Sequence, residues 1–401
     1  MKSIRSNPLI IPVAEVFAKA ISFVNILLLI RIFSIYEYAD YSYLVSVILW
    51  ASVLMDSGIN DLIYNKSLKK DANDLDSLFT GKVFLSIFVV LLLGIFFAIK
   101  KTNLLLPGVM LSLVILFSSL TAFIKMYARG NNFVDNDLVT ILSEPILRLI
   151  FLIIVVLTNS VFLWSFSQVF LFYLMAGIFA FTISYLRISG IYRFHLLLDH
   201  IKEPLNKIRN ILKDTRYYLL YYLMLMGLQR LDIIMIEKYG IKEDLAVFST
   251  AITIYQVIYL FFYALITTKI MILLKNKKYL YNFLLPVLLF IVLITFMISP
   301  FIYMILFPEA YYSGYKVLNY LMISIIPSVF SLYFIIKNNY KGMMKKNFYI
   351  LAFVLFLKFS AYLILKSDHL PVYYIVYGIM ELLLVFLFIF YPNQNENITD
   401  Q

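Results

Sequence analysis

Apolar runs long enough to cross a bilayer follow one another along almost the whole chain, with short polar segments between them. At 1.5 Å per residue, a helical run of about 20 apolar residues spans about 30 Å of hydrocarbon. The pattern therefore predicts an all-α polytopic membrane protein. Its twelve predicted membrane-spanning helices cover residues 10–32, 41–63, 79–99, 104–126, 138–158, 161–185, 216–236, 244–268, 280–306, 314–336, 347–365 and 371–391.

Basic residues between these helices indicate their direction across the membrane. If the amino terminus is cytoplasmic, 22 of the 34 lysines and arginines lie in cytoplasmic segments, 7 lie in outer segments and 5 lie within spans. This asymmetry follows the positive-inside rule, so both termini are predicted on the cytoplasmic side. The net charge of +11 is then a property of the topology, and no nucleic-acid partner is expected.

The longest polar stretch, residues 186–215, divides the chain into two sets of six helices, 1–185 and 216–401. Because six is even, both halves start on the cytoplasmic side, so a duplication would give two parallel six-helix lobes related by an axis along the membrane normal. The stretch itself has apolar residues at helical spacing, which predicts an amphipathic interfacial helix. Such a helix would tether the chain to anionic lipid or recruit substrate. The apolar positions are Ile201, Leu205, Ile208 and Leu212.

A cleaved secretory signal is the competing interpretation of the amino-terminal segment. Ala18-Lys19-Ala20 resembles a small-residue cleavage site behind a basic stretch. Glu15, however, interrupts the apolar core that a signal requires, and the apolar run continues to Leu29. The pattern therefore favours a retained first helix.

Composition excludes several classes of function. Hydrophobic residues make up 63% of the chain and charged residues 14%, against about 45–50% and 25% in soluble domains. The chain has no cysteine and only three scattered histidines, so neither a metal site nor a metal cofactor is predicted. Gly81-Lys82 lacks the upstream glycine of a phosphate-binding loop, and no nucleotide site is predicted either.

Four cations lie well inside predicted spans, where a charge costs about 2.5 to 3.5 kcal/mol unless it is neutralised or faces a wet cavity. They are Lys19, Arg148, Arg230 and Lys358, on the first, fifth, seventh and eleventh helices. Under the proposed duplication, the first helix corresponds to the seventh and the fifth to the eleventh. The cations therefore form two symmetry-related pairs, which favours a shared functional role.

Carboxylates accompany these cations, and two of them have the spacing of ion pairs on one helix face. Glu15 precedes Lys19 by four residues, and Glu144 precedes Arg148 by four. Self-neutralisation within each helix is therefore the structural alternative to a substrate-binding role. Asp56, deep in the second helix, is a further acid within a span.

The second half carries Asp232 and Glu381 within its spans. Arg230 and Asp232 are two residues apart and point to different sides of their helix, so they are not expected to pair with each other. Glu381 shares a helical stripe with tyrosines and a glycine, faces protein or water, and is placed to reach Lys358 on the neighbouring helix.

Four segments of the chain resemble the polysaccharide repeat-unit flippases, the Wzx-type O-antigen transporters of the multidrug/oligosaccharidyl-lipid/polysaccharide exporter superfamily. One is the amphipathic first helix, and another contains an Arg-x-Asp motif followed by an aromatic-Ser step at Phe248-Ser249. The resemblance covers all twelve helices. The four segments are residues 14–32, 35–42, 55–59 and 228–236.

This resemblance implies a bacterial inner-membrane transporter with two lobes around a central cavity and alternating access. Its substrate would be an undecaprenyl-diphosphate-linked oligosaccharide, handled together with a polysaccharide polymerase and chain-length machinery. The four cations Lys19, Arg148, Arg230 and Lys358 are then candidates for holding the diphosphate. The carboxylates Glu15, Glu144, Asp232 and Glu381 would tune those cations or carry a coupling proton.

Two other functions stay open at the level of sequence. A drug or metabolite antiporter of the same superfamily would bind cations, and four central acids against four central cations leave room for it. A membrane glycan polymerase would need a sizeable outer loop, whereas every predicted outer connection is about ten residues or shorter. Glu37 and Asp40, in the first of these connections, are interpreted as helix-end capping residues, and no enzymatic activity is predicted.

Overall fold

The computed structural model describes residues 10–68, 75–158, 164–196, 216–275 and 280–391, and the regular structure of these ranges is helical. Twelve helical segments among the described residues are long and apolar enough to cross a membrane, which confirms the predicted fold class and number of spans. The α-helices are α1 (Ile10–Ile32), α2 (Ile35–Asp56), α3 (Ile59–Leu68), α4 (Leu75–Lys100), α5 (Leu105–Gly130), α6 (Val134–Thr158), α7 (Phe166–Ser189), α8 (Arg216–Tyr239), α9 (Lys242–Lys275), α10 (Leu285–Leu306), α11 (Gly314–Tyr340), α12 (Met344–Leu365) and α13 (Leu370–Phe390).

The second span differs most from its predicted range of 41–63. It starts earlier because Ser34 forms a capping box with Glu37, in which each side chain accepts a hydrogen bond from the other residue's backbone N–H. It ends earlier because Ser57 and Gly58 both adopt positive φ angles, 41° and 78°. This left-handed step breaks the helix and starts the short α3 in a new direction.

The chain forms two compact units, Met1–Met226 and Gly227–Gln401, which meet inside α8. In the first unit, α5 is the central helix and packs against α2, α4, α6 and α7. In the second unit, α11 is central and packs against α9, α10, α12 and α13. These are the helices that the predicted duplication pairs with one another, and a short 3-10 turn precedes both α5 and α11. The central helix of each unit therefore has the same position in the predicted duplication, and the duplication itself stays a prediction.

A glycine allows each central helix to pack closely at one end. A Cβ on Gly130, at the end of α5, would lie 2.5 Å from the Cβ of Ser67 and 2.8 Å from the carbonyl oxygen of Tyr64 in α3. A Cβ on Gly314, at the start of α11, would lie 2.4 Å from the ring of Tyr303. Both distances are shorter than van der Waals contact, so any larger residue would push the neighbour away.

The predicted linker is described only in part. Helix α7 continues to Ser189, past the predicted end at 185, and the chain after it is described as far as Leu196, with a turn but no helix or strand. The proposed amphipathic helix, from Ile201 to Leu212, lies outside the described residues. Its interfacial position and the lobe boundaries 1–185 and 216–401 therefore stay predictions.

Candidate functional site

A polar cavity of about 390 Å³ lies within the first unit, between α1, α5 and α6. Its wall contains five charged side chains, which come from all three helices. They are Glu15, Lys19, Lys125, Glu144 and Arg148. Charged groups at membrane depth are tolerated where they face water or each other, so this cavity is the natural place for a polar ligand in the first unit.

Helix α6 contributes a neutralised pair to the cavity wall. The guanidinium of Arg148 contacts the carboxylate of Glu144, as their four-residue spacing predicts. The hydroxyl of Ser118, on α5, also donates to Glu144. The Arg148 guanidinium carbon lies 5.2 Å from the centroid of the Tyr173 ring, within the range of a cation–π contact. These contacts fix Arg148 at the cavity while its charge is balanced locally.

The other predicted pair, between Glu15 and Lys19, is not formed in the described structure. Glu15 instead accepts a hydrogen bond of 2.7 Å from Arg129 of α5. Arg129 also donates over 2.9 Å to Asp137 of α6, whose side chain is fully buried. A guanidinium has several donors in a planar fork and binds two carboxylates at once, which an ammonium at Lys19 does less well. Glu15, Arg129 and Asp137 therefore form an ion cluster that joins α1, α5 and α6, and Glu15 pairs with Arg129 instead of Lys19.

Lys19 and Lys125 are the two cavity cations that form no ion pair within 4 Å in the described residues. Neither ammonium forms an ion pair or a hydrogen bond with the part of the chain that the structure describes. Lys19 is exposed and Lys125 is half-buried. The five charged groups of the cavity wall are three cations and two carboxylates, so the wall has a net charge of +1, which favours an anionic ligand.

Hydroxyl groups complete the polar lining. Ser22, Thr121 and Thr140 each donate to a carbonyl oxygen four residues earlier in their own helix, over 2.7 to 2.8 Å. Their hydrogens are therefore used within the helix, and their oxygens present lone pairs to the cavity. The wall thus combines strong cationic donors with neutral acceptors.

Sequence reasoning missed Lys125 and Arg129, because it counted both among the cytoplasmic cations, although Lys125 lies just inside the predicted end of the fourth span at 126. Helix α5 continues to Gly130, and Tyr127 and Ala128 are buried on it. The sequence therefore contained a signal, because Tyr127 and Ala128 continue the apolar face of the helix beyond Lys125.

In the second unit, Lys358 of α12 is buried in an ion pair with Asp232 of α8. Its ammonium donates to a carboxylate oxygen of Asp232 over 2.6 Å and to the carbonyl of Leu228 over 2.8 Å. The hydroxyl of Tyr362 donates to the other carboxylate oxygen. The Tyr377 ring lies below the ammonium, 4.7 Å away at its centroid. Both partners of this pair are satisfied and closed to solvent.

The remaining two predicted residues are Glu381 and Arg230. Glu381 of α13 accepts a hydrogen bond of 3.2 Å from Ser331 of α11, and no ion pair joins it to Lys358 in the described residues. Arg230 lies half-buried on α8 and interacts with other parts of the protein. The structure therefore brings Lys19, Arg148, Glu15 and Glu144 to one cavity, and Lys358 and Asp232 to one buried pair.

Solved structures with the same arrangement of helices are membrane transporters. The chain is 12% identical to a multidrug resistance MATE family transporter of the MOP superfamily in an inward-facing conformation, with a TM-score of 0.66 and 93% of each chain covered. For the lipid II flippase MurJ in an inward closed conformation, the identity is 14%, the TM-score 0.65, and the coverage 96% of this chain and 87% of that one. A MOP superfamily transporter from Pyrococcus furiosus is 12% identical, with a TM-score of 0.50 and coverage of 94% and 95%.

These likenesses show the class of fold, which the chain shares with membrane transporters of the MOP superfamily. The chain belongs to the polysaccharide biosynthesis protein family, which its sequence matches over residues 4–272. A search of curated proteins gives no significant match. The resemblance drawn from the four sequence segments is thus confirmed at the level of family and fold, and the O-antigen repeat unit as substrate stays a prediction.

Proposed function

We propose that this protein is a flippase that moves undecaprenyl-diphosphate-linked oligosaccharide repeat units from the cytoplasmic to the outer leaflet of a bacterial inner membrane. The products would feed the synthesis of a surface polysaccharide such as an O-antigen or a capsule. The observation that carries the proposal is a polar cavity with a net positive charge, in which the ammonium groups of Lys19 and Lys125 form no ion pair in the described residues.

Charge is the first argument for a diphosphate ligand. A diphosphate presents several anionic oxygens within a few ångströms, and charge-assisted hydrogen bonds from ammonium and guanidinium groups are the strong contacts for such oxygens. Lys19 and Lys125 supply ammonium donors that form no ion pair in the described residues, and Arg148 adds a planar donor in the same wall. A cationic drug would meet repulsion here, so the cavity favours an anionic ligand over the one expected for a drug antiporter.

The mechanism follows from the ligand's two parts. The polar head group enters the cavity from the cytoplasmic side while the polyprenyl tail stays in lipid, because transfer of the hydrocarbon tail out of lipid would cost free energy. A rocking motion of two lobes then exposes the head group on the other side, as in other transporters built from repeats. Arg230 is retained as a candidate contact in the second lobe. Lys358, satisfied by Asp232, is assigned to holding α8 against α12 in the described state.

A strain that lacks the protein tests this proposal by the leaflet in which the lipid-linked repeat unit accumulates. A flippase defect leaves it in the cytoplasmic leaflet. Accumulation in the outer leaflet would identify a polymerase instead, and the absence of any accumulation would favour the antiporter. Complementation with the wild-type gene and with a Lys19→Ala/Lys125→Ala variant, matched for protein abundance, assigns the defect to the cavity.

A further inference from the structure

The break between α2 and α3 places a carboxylate where a helix disfavours one. Asp56 is the last residue of α2, and Ser57 and Gly58 follow with left-handed backbone angles. A helix C-terminus carries partial negative charge, so a carboxylate at this position is destabilising unless a cation offsets it. Helix capping therefore does not explain the carboxylate of Asp56 at the end of α2.

Three donors form hydrogen bonds with one of the two carboxylate oxygens of Asp56. Oδ1 accepts hydrogen bonds from the ammonium of Lys82 over 2.6 Å, from the amide of Asn60 over 3.0 Å and from the hydroxyl of Ser119 over 3.0 Å. No hydrogen bond from the described part of the chain reaches Oδ2. The Asp56 side chain is 49% exposed, whereas Lys82 behind it is completely buried. The carboxylate is thus fixed from behind and presents its second oxygen to open space.

The ion pair determines what this oxygen can bind. Because Lys82 balances the charge of Asp56, a free cation gains little net attraction there. The lone pairs of Oδ2 nevertheless remain strong acceptors for neutral donors, and a buried lysine keeps them in a fixed direction. Hydroxyl and amide N–H groups of a sugar are such donors, and they do not need a charged partner.

Asp56 and the wall of the cationic cavity are linked through two neighbouring residues of α5, whose side chains leave the helix about 100° apart. Its partner Ser119 is adjacent in α5 to Ser118, which donates to Glu144 in the cavity wall. Neighbouring Cα atoms are about 3.8 Å apart, so the two carboxylates contact side chains on one turn of the same helix. A head group whose diphosphate lies at the cations would carry its first sugars toward this turn.

We infer that Asp56, positioned by Lys82, Asn60 and Ser119, is a saccharide-binding residue that accepts hydrogen bonds from the sugar nearest to the diphosphate. This inference rests on the proposed function, since it needs a lipid-linked sugar as ligand. It assigns the sugar and the diphosphate to different side chains of the first unit. The acceptor Asp56 would bind the sugar, and the cations of the cavity would bind the diphosphate.

The test compares two probes on purified full-length protein in lipid nanodiscs. One is undecaprenyl diphosphate, which has no sugar, and the other is undecaprenyl diphosphate carrying a single N-acetylglucosamine. Wild-type protein is expected to bind the glycosylated probe more tightly. Asp56→Asn alone would leave the buried Lys82 without its counter-charge, so the informative variant is Asp56→Asn/Lys82→Met, which removes both charges and turns the outward acceptor into a donor.

In this double variant, affinity for the glycosylated probe should fall about tenfold or more, as for loss of a hydrogen bond to a charged group. Affinity for the sugar-free probe should change much less. The matched control Lys19→Ala should weaken both probes by a similar factor, because both carry the diphosphate. Thermal unfolding of each variant checks that it is folded.

The outcomes separate the two claims. Wild-type protein that binds neither probe overturns the proposed function. Wild-type protein that binds both, with a ratio of affinities that the folded double variant leaves unchanged, overturns only the assignment of Asp56. A wild-type ratio of one overturns that assignment as well.

Discussion

The buried pair of Lys358 and Asp232 ties α12 to α8 by side chains that are almost entirely closed to solvent. Removal of one partner leaves the other charge buried without compensation, which typically costs 3–5 kcal/mol. We therefore expect Lys358→Met to lower the thermal unfolding temperature of the detergent-purified protein strongly. Lys358→Met/Asp232→Asn should recover much of that loss, because no net charge then remains buried. An unfolding temperature equal to that of the wild type in the single variant would show that the pair is not structural.

Arg230 is the candidate substrate contact of the second half. Arg230→Ala should reduce glycan export at unchanged protein abundance, because a charge-assisted contact to the diphosphate is lost. Arg230→Lys should restore only part of the export, since an ammonium keeps the charge but not the bidentate fork. Export assays alongside immunoblots of membrane fractions measure both quantities. Loss of abundance in both variants would instead assign Arg230 to the fold, and wild-type export from the Ala variant would remove it from the site.

Sequence spacing predicted some of these side-chain contacts and missed others for a physical reason. Glu144 and Arg148 pair within one helix, where a separation of four residues is sufficient. Glu15 has the same relation to Lys19, but a guanidinium from another helix competes successfully for it. Tertiary partners such as Arg129 are invisible to local spacing, because they depend on which helices pack together.

At the scale of elements, close packing of α5 against α3 depends on a residue without a side chain. Gly130→Ala would place a Cβ within 3 Å of Ser67 and Tyr64, and overpacking of this kind costs about 1–3 kcal/mol. The expected result is a lower thermal unfolding temperature. Gly190→Ala is the matched control, because a Cβ there meets nothing within 4 Å. Equal unfolding temperatures of the two variants would contradict the close approach.

Hydropathy predicted the helices well because each span must bury its backbone hydrogen bonds in lipid, so that length and apolarity suffice to find it. It did not predict the break of the second span. Residues 57 and 58 lie inside the predicted span 41–63, and the left-handed backbone of Ser57 and Gly58 ends the helix there. The Asp56 group depends on this break, so its geometry could not be read from hydropathy.

At the scale of the molecule, the positive-inside pattern predicts that both termini and residues 186–215 are cytoplasmic. The chain contains no cysteine, so single cysteines introduced at Ser189 and at Asn210 can be labelled without background. Both should react with a membrane-impermeant maleimide only after the inner face is made accessible. Labelling of either position from the outer face of intact cells or spheroplasts would contradict the topology and the parallel duplication built on it.

Movement of a lipid-linked oligosaccharide between leaflets is the most direct test of the whole account. Wild-type protein, the Lys19→Ala/Lys125→Ala variant and the control Lys100→Ala, an exposed lysine at the end of α4, are reconstituted at equal density in liposomes. An undecaprenyl-diphosphate-linked oligosaccharide is supplied in one leaflet, and a sugar-modifying enzyme that cannot cross the membrane measures its transfer. The account predicts transfer by the wild type and the control, and transfer slowed about tenfold or more in the double variant, from the loss of charge-assisted contacts. No transfer by folded wild-type protein, or transfer at the wild-type rate by the double variant, would contradict it.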